Sequence, residues 1–253
     1  MSLNTSNINR LFQVKSNVLT NGGVNGFTDS TSFLFDGVDD YMETDTNYTM
    51  LDNSLYFTIN LWVKLNDTST AQRILFLVGG RRIFIYVTAS GKVDCSIRSS
   101  TYNIQSNSGS VPLNTWTNII WTYDGTLSRY NRYQLYVNGV SNVSTNNGYT
   151  STILPFTAPL NVGLLSGRYL NANINELSFW NVVLSPTQVT EVYNNGEANN
   201  LNDLPTATQP NNWWRSENAV WNGTNFNVPD ENGLFPITTS NMTQASIVTD
   251  VPT

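Results

Sequence analysis

Tyr56-Phe57-Thr58-Ile59-Asn60-Leu61-Trp62-Val63-Lys64-Leu65 decides the fold. Phe57, Ile59, Leu61, Val63 and Leu65 fall on one face at period two. Tyr56, Thr58, Asn60, Trp62 and Lys64 fall on the other. A helix would scatter the same apolar residues around its axis, so the stretch reads as a strand with one face on a core.

The pattern repeats on both sides of this stretch. Residues 74–78 and 83–87 flank Gly79-Gly80, which reads as a hairpin turn. Gly91 opens a strand through Val93, Cys95 and Ile97. Residues 116–123 form another strand, ended by Asp124-Gly125. Residues 133–137 and 140–143 flank Asn138-Gly139, and Asn-Gly suits a two-residue turn in which both central positions take positive φ. Phe33 and Phe35 alternate with Leu34 ahead of an acidic turn, Asp36-Gly37-Val38-Asp39-Asp40. Residues 161–164 and 172–180 complete the set. One helix is marked: Ser185 as N-cap, Pro186 at its first position, Gln188 closing a capping box, and Gly196 as the C-terminal glycine. Regularly spaced strands with Gly/Asn turns and almost no helix point to a sandwich or barrel.

Composition agrees. Charged residues are 12% of the 253, about half the usual share, so polarity comes instead from amides and hydroxyls, chiefly asparagine and threonine. Both are weak helix formers. A single cysteine, Cys95, excludes an intramolecular disulfide. The absence of histidine excludes Cys/His metal clusters and ordinary Ser-His-Asp or Cys-His catalysis. The net charge of −6 argues against nucleic acid and anionic membranes as partners. Residues 1–10 lack the basic start and apolar run of a secretory signal, and no stretch reaches the roughly 18 apolar residues of a membrane span.

The expected organisation has three parts. Residues 1–29 form a polar N-terminal arm with a small apolar group at Leu11, Phe12 and Val14. Residues 30–196 form the sandwich. Residues 197–253 form a linker and an aromatic extension, carrying Trp213, Trp214, Trp221, Phe226 and Phe235, that packs on the sandwich or on a neighbouring subunit.

Four segments carry a family resemblance. They are Leu34-Phe35-Asp36-Gly37-Val38-Asp39-Asp40-Tyr41; Phe57 through Lys64; Trp116 with Tyr123-Asp124-Gly125 and Tyr136-Val137-Asn138-Gly139; and Asn161-Val162-Gly163 with Ile174-Asn175-Glu176-Leu177 and Leu184-Ser185. Their order and spacing resemble the laminin-G-like branch of the concanavalin-A-like lectin/glucanase superfamily. The resemblance implies an all-β jelly-roll sandwich of two antiparallel sheets with one short helix. It also implies a concave sheet as the usual ligand surface, glycan or protein binding, and in some members calcium near a sandwich edge. The tail adds a looser likeness. Trp213-Trp214-Arg215, residues 228–233, Asn241-Met242-Thr243 and residues 248–253 resemble the ends of laminin-G-like virion proteins of marine tailed phages. That likeness implies a non-catalytic structural or adhesion protein on a virion surface, decorating the head or part of a tail appendage. Its partners would be other virion proteins, further copies of itself and a cell-surface glycan. A free bacterial carbohydrate-binding module is the alternative.

Three chemistries bear on the sequence. A β-glucan hydrolase of this superfamily needs alternating carboxylates on one strand, and retaining hydrolysis needs two of them about 5–5.5 Å apart. Glu43 and Asp45 match, but Tyr48 stands where the third carboxylate belongs, so no enzyme is expected. Calcium needs six to eight oxygen ligands, and Asp36, Asp39, Asp40 and Glu176 are the candidates. Sugars stack on aromatic rings and hydrogen-bond to polar side chains, and Arg168, Tyr169, Trp213 and Trp214 are the candidates.

Overall fold

The structure, a computed structural model, describes residues 27–79, 82–97, 102–148, 152–207 and 209–253. Leu11, Phe12 and Val14 of the expected arm, and Gly80 and Arg81 after β4, lie outside the described residues. The strands are β1 (Ser32–Asp36), β2 (Tyr41–Thr44), β3 (Tyr56–Leu65), β4 (Gln72–Gly79), β5 (Ile83–Val87), β6 (Val93–Ile97), β7 (Asn103–Gln105), β8 (Thr117–Asp124), β9 (Tyr133–Val137) and β10 (Val140–Ser141). They continue as β11 (Thr145–Asn146), β12 (Phe156–Val162), β13 (Leu164–Leu165), β14 (Arg168–Tyr169), β15 (Asn171–Trp180), β16 (Asn212–Trp214), β17 (Val220–Trp221), β18 (Phe226–Val228), β19 (Ile237–Ser240) and β20 (Ile247–Val248). The helix α1 (Pro186–Tyr193) lies between β15 and β16.

Two large antiparallel sheets face each other. One has the order β10-β9-β8-β3-β15-β1-β20, with β16 also paired to β15. The other runs β11-β7-β6-β5-β4-β12-β2-β19-β18-β17. Strands β13 and β14 form a small separate ribbon. Among the described residues the chain is thus an all-β sandwich with one short α-helix, as its periodicity requires.

The core lies between the sheets. Phe57, Ile59, Leu61, Val63 and Leu65 of β3 are fully buried there, with Ile119, Trp121 and Tyr123 of β8 beside them. Ile83, Ile85, Val87, Val93, Cys95 and Ile97 meet them from the second sheet. Phe57 packs edge-to-face on Trp121 at 4.9 Å and stacks on Tyr123 at 5.2 Å. Such pairs add about 0.5–1.5 kcal/mol to the area they bury.

A second apolar layer covers the far side of the eight-stranded sheet. Ile120, Tyr136 and Trp180 point away from the core and meet Leu184, Val189, Val192, Leu201 and Trp213. Helix α1 supplies part of this layer. Ser185 caps it, with Gln188 completing the reciprocal bond. Its C-terminus differs from expectation. Asn194, at φ 47° and ψ 47°, takes the left-handed cap position, and its N–H bonds the Thr190 carbonyl; Gly196 comes two residues later. Asparagine tolerates that conformation, so the glycine was not needed there. The Asn138-Gly139 turn has φ of 51° and 72°, as a primed hairpin turn demands. Gly139 has a second reason: a Cβ there would meet the Tyr193 ring of α1 at 2.6 Å.

The C-terminal residues are not an appendage. Strand β16 pairs with β15, β20 pairs with β1, and β19 lies between β2 and β18. Phe226, Val228, Ile237 and Met242 belong to the main core. A chain ending at residue 211 should therefore lose cooperative thermal unfolding by circular dichroism or calorimetry, and Trp214→Ala in the full chain should cost about 3–5 kcal/mol. A shortened chain that still melts cooperatively would show that these strands are dispensable.

Candidate functional site

The two sheets are not equivalent. The eight-stranded sheet is covered on both sides, whereas among the described residues no second apolar cluster covers the outer face of the ten-stranded sheet. Strand alternation that sends Ile85, Cys95 and Ile104 into the core sends Arg73, Phe84, Tyr86, Asp94, Asn103 and Gln105 outward. Arg73, Tyr86, Asp94 and Gln105 are successive register partners across β4, β5, β6 and β7, so they form one row. Phe84 and Asn103 lie in the adjoining row, joined through Ser96.

Asp94 organises this row. Its side chain is buried, and its carboxylate accepts from the Tyr86 hydroxyl at 2.9 Å, from Asn103 Nδ2 at 2.9 and 3.1 Å, and from Gln105 Nε2. Burial, and then the Asp94 charge, pushes the Tyr86 hydroxyl up to about 12, so it stays protonated and remains a donor. With the amide N–H groups turned toward Asp94, the side-chain oxygens of Asn103 and Gln105 accept nothing among the described residues. Arg73 lies 4.7 Å over the Tyr86 ring, and Phe84 stacks beside Tyr86 at 5.9 Å. Arg73 has no ion pair among the described residues. The face, on which Arg73, Phe84, Tyr86 and Gln105 are half-buried and Asn103 is buried, thus offers two aromatic rings, a guanidinium donor and two amide acceptors held by one carboxylate. Such a surface can stack on the C–H face of a sugar and exchange hydrogen bonds with its hydroxyls.

The residues singled out from sequence fare differently. Arg168 and Tyr169 form β14, paired with β13 next to β4, the strand that carries Arg73; Arg168 is exposed and Tyr169 half-buried. Trp213 and Trp214 are corrected. Both are 2% exposed, because neighbours on β16 face opposite sides of a sheet covered on both. Trp213 fills the helix layer and donates to Glu176, while Trp214 fills the core and donates to the Phe235 carbonyl at 2.7 Å. Neither has a ring face to give a sugar.

Asp36, Asp39 and Asp40 do come together, each placing one carboxylate oxygen within 4.8 Å of the others, so the group could hold a metal. Asp36 Oδ1 accepts from the N–H groups of Val38 and Asp39, which fixes the turn. Asp40 is 4% exposed, and burial, then Asp36, raises its carboxyl to about 6. Glu176 does not join them; it falls with Asp29 and Glu217. It sits at a register shift in β15 with φ of 53°, which turns it out of the strand's alternation. Tyr48, in the place of a third carboxylate after Glu43 and Asp45, is wholly buried and donates to Asn212 at 2.7 Å. Glu43 has Asn161 and Thr238 as its register neighbours, neither of them a carboxylate.

Sequence reasoning missed the Asp94 row. An aspartate in the outward phase of Val93-Asp94-Cys95-Ser96-Ile97 was the available signal, but its partners on β7 come from a three-residue strand too short to show a period.

Comparison with known proteins supports the architecture. Residues 36–190 match the family described as the concanavalin A-like lectin/glucanases superfamily. No curated protein matches. Among solved structures, a protein from Bacteroides ovatus ATCC 8483 described as a candidate carbohydrate-binding protein superposes with a TM-score of 0.64 at 16% identity, over 93% of this chain and 66% of that one. The chain therefore spans about two thirds of that protein's length. The native heptameric SAP-like pentraxin from Limulus polyphemus gives a TM-score of 0.53 at 15% identity, over 85% of this chain and 97% of that one. At these identities the likeness is one of fold. With the family match spanning more than half its residues, the chain belongs to the concanavalin A-like lectin/glucanases superfamily.

Proposed function

We propose that this chain is a non-catalytic carbohydrate-binding module, and that its site is the outer face of the ten-stranded sheet around Arg73, Phe84, Tyr86, Asn103 and Gln105. The observation that carries the reading is the Asp94 carboxylate. It holds three neighbouring side chains by their donors and leaves two amide oxygens without one. Preorganised acceptors beside aromatic rings lower the cost of ordering side chains around a polyol. The description of the Bacteroides ovatus protein supports the same reading.

The proposal extends to placement. The tail's likeness to virion proteins, together with the low share of charged residues, supports display in many copies on the surface of a tailed-phage particle, where weak sites gain by multivalency. It extends also to calcium at Asp36, Asp39 and Asp40, where three carboxylate oxygens already converge.

Three measurements test these arms. On a glycan array followed by calorimetry, the chain should bind at least one oligosaccharide. Arg73→Ala and Phe84→Ala should each weaken that binding at least about tenfold, some 1.4 kcal/mol, without changing the melting temperature. Binding that survives both substitutions would move the site elsewhere. Calcium should raise the melting temperature, and Asp39→Asn should remove the rise; a melting temperature indifferent to calcium ends that arm. Mass spectrometry of purified particles from the source should find the chain in stoichiometric copies, and its absence there would overturn the virion placement.

A further inference from the structure

Away from the glycan-binding face, three carboxylates surround one guanidinium. Glu176 of β15 is 2% exposed. Its Oε1 accepts from Arg215 Nε at 3.1 Å, and its Oε2 accepts from the Trp213 indole. Glu217, in the turn after β16, lies 3.5 Å from the Arg215 guanidinium. Asp29, ahead of β1, completes the group, and one oxygen of each carboxylate lies within 4.8 Å of the others. Asp29 Oδ2 and Glu217 Oε2 are buried without a hydrogen bond. Arg215 cannot move to meet them easily, because its guanidinium lies 4.4 Å over the Phe27 ring and 5.1 Å over Trp213.

The same atoms fasten residues 27–31 to the sandwich. Arg215 donates to the Thr28 carbonyl, and Asn175 donates to Asp29 at 2.7 Å. Glu217 Oε1 accepts from the N–H groups of Ser30 at 2.7 Å and Thr31 at 2.9 Å. Phe27 stacks on Trp213 at 6.2 Å. Fully ionised, the cluster would hold three negative charges against one positive in a buried place, a net repulsion that protons relieve.

We infer that Asp29, Glu176, Glu217 and Arg215 form a proton-dependent latch, which holds residues 27–31 against the 213–217 segment most firmly in acid and loosens progressively as the carboxyls ionise. The charged groups facing one another are Glu176 from β15, Arg215 and Glu217 from the segment after β16, and Asp29 from the N-terminal side; Asn175 and Trp213 are the neutral donors among them. Burial, offset in part by Arg215 and reinforced by Asp29 and Glu217, raises the Glu176 carboxyl from 4.5 to about 8. Burial, opposed by Asn175, raises Asp29 from 3.8 to about 7. Both folded values exceed the unfolded ones. The stabilisation is therefore complete below about pH 4, declines as pH rises, and is lost above the folded values near 7 and 8.

The amides of Ser30 and Thr31 report the latch directly, since both bond Glu217. Hydrogen exchange of the full chain, corrected for its intrinsic pH dependence, should show their protection falling at least about tenfold between pH 6 and pH 9.5, while the amides of β3 and β8 keep theirs. Asp29→Asn, which fixes one group in a neutral form that still accepts from Asn175, should shrink the fall at least about threefold, because one raised carboxyl no longer ionises and Glu176 loses the Asp29 charge that helps raise it. Glu176→Gln should do the same, and either variant suffices if the other fails to fold. Undiminished protection of Ser30 and Thr31 at pH 9.5 in the wild type would overturn the latch. So would an undiminished fall in a folded variant, or a loss of protection shared equally by the core strands.

Discussion

A strand buried on both sides has no water for its polar side chains, and β3 is such a strand. Its inner face is the apolar core, and its outer face lies under α1 and the C-terminal segment. Thr58, Asn60 and the groups opposite them must therefore bond one another. Thr58 donates to the Val182 carbonyl and accepts from the Leu184 N–H, which fixes the chain where it leaves β15 for α1. Asn60 donates to the Glu176 carbonyl and to Ser178, and accepts from Asn118. The first of these bonds secures the bulge in β15, and the bulge turns Glu176 toward Arg215. Among these groups only Asn118 Oδ1 is left without a donor.

This requirement separates the two sheets by role. The eight-stranded sheet is closed, and its polar residues serve folding. The ten-stranded sheet places Asn103 and Gln105 on its outer face with their acceptors unspent. Asn60 and the Asn118 amide N–H are thus spent within one sheet, whereas the Asn103 oxygen is left over on the other. What distinguishes the two settings is the second apolar layer supplied by Trp180, Val189, Val192 and Trp213.

The fold was largely legible in the sequence because β3, β5, β8 and β9 alternate cleanly and their turns are Gly/Asn-marked. That the residues after 196 add strands to both sheets was not legible, for a physical reason. Strands of two to four residues, such as β16, β17 and β20, have no measurable period, and their pairing is decided by distant partners. The same limit hid the site. Asp94 lay in a recognised strand, but its partners Asn103 and Gln105 lay in β7, and only the sheet order brings them together. Trp213 and Trp214 were legible as facing opposite ways; that both ways lead inward depends on a helix layer that adjacency in sequence does not reveal.

The pairing of β1 with β20 sets the order of events during synthesis. Ser32 Oγ donates to the Asp250 carbonyl across 218 positions of chain, and β2 acquires β19 as its neighbour from nearly as far away. While the chain emerges from the ribosome, both early strands present unpaired backbone edges until the last strands arrive. Contacts this distant close slowly, and open strand edges invite pairing with other chains. Folding of this sandwich therefore waits for β19 and β20, and its yield in the cell depends on how long the early strands can be kept apart from one another's copies.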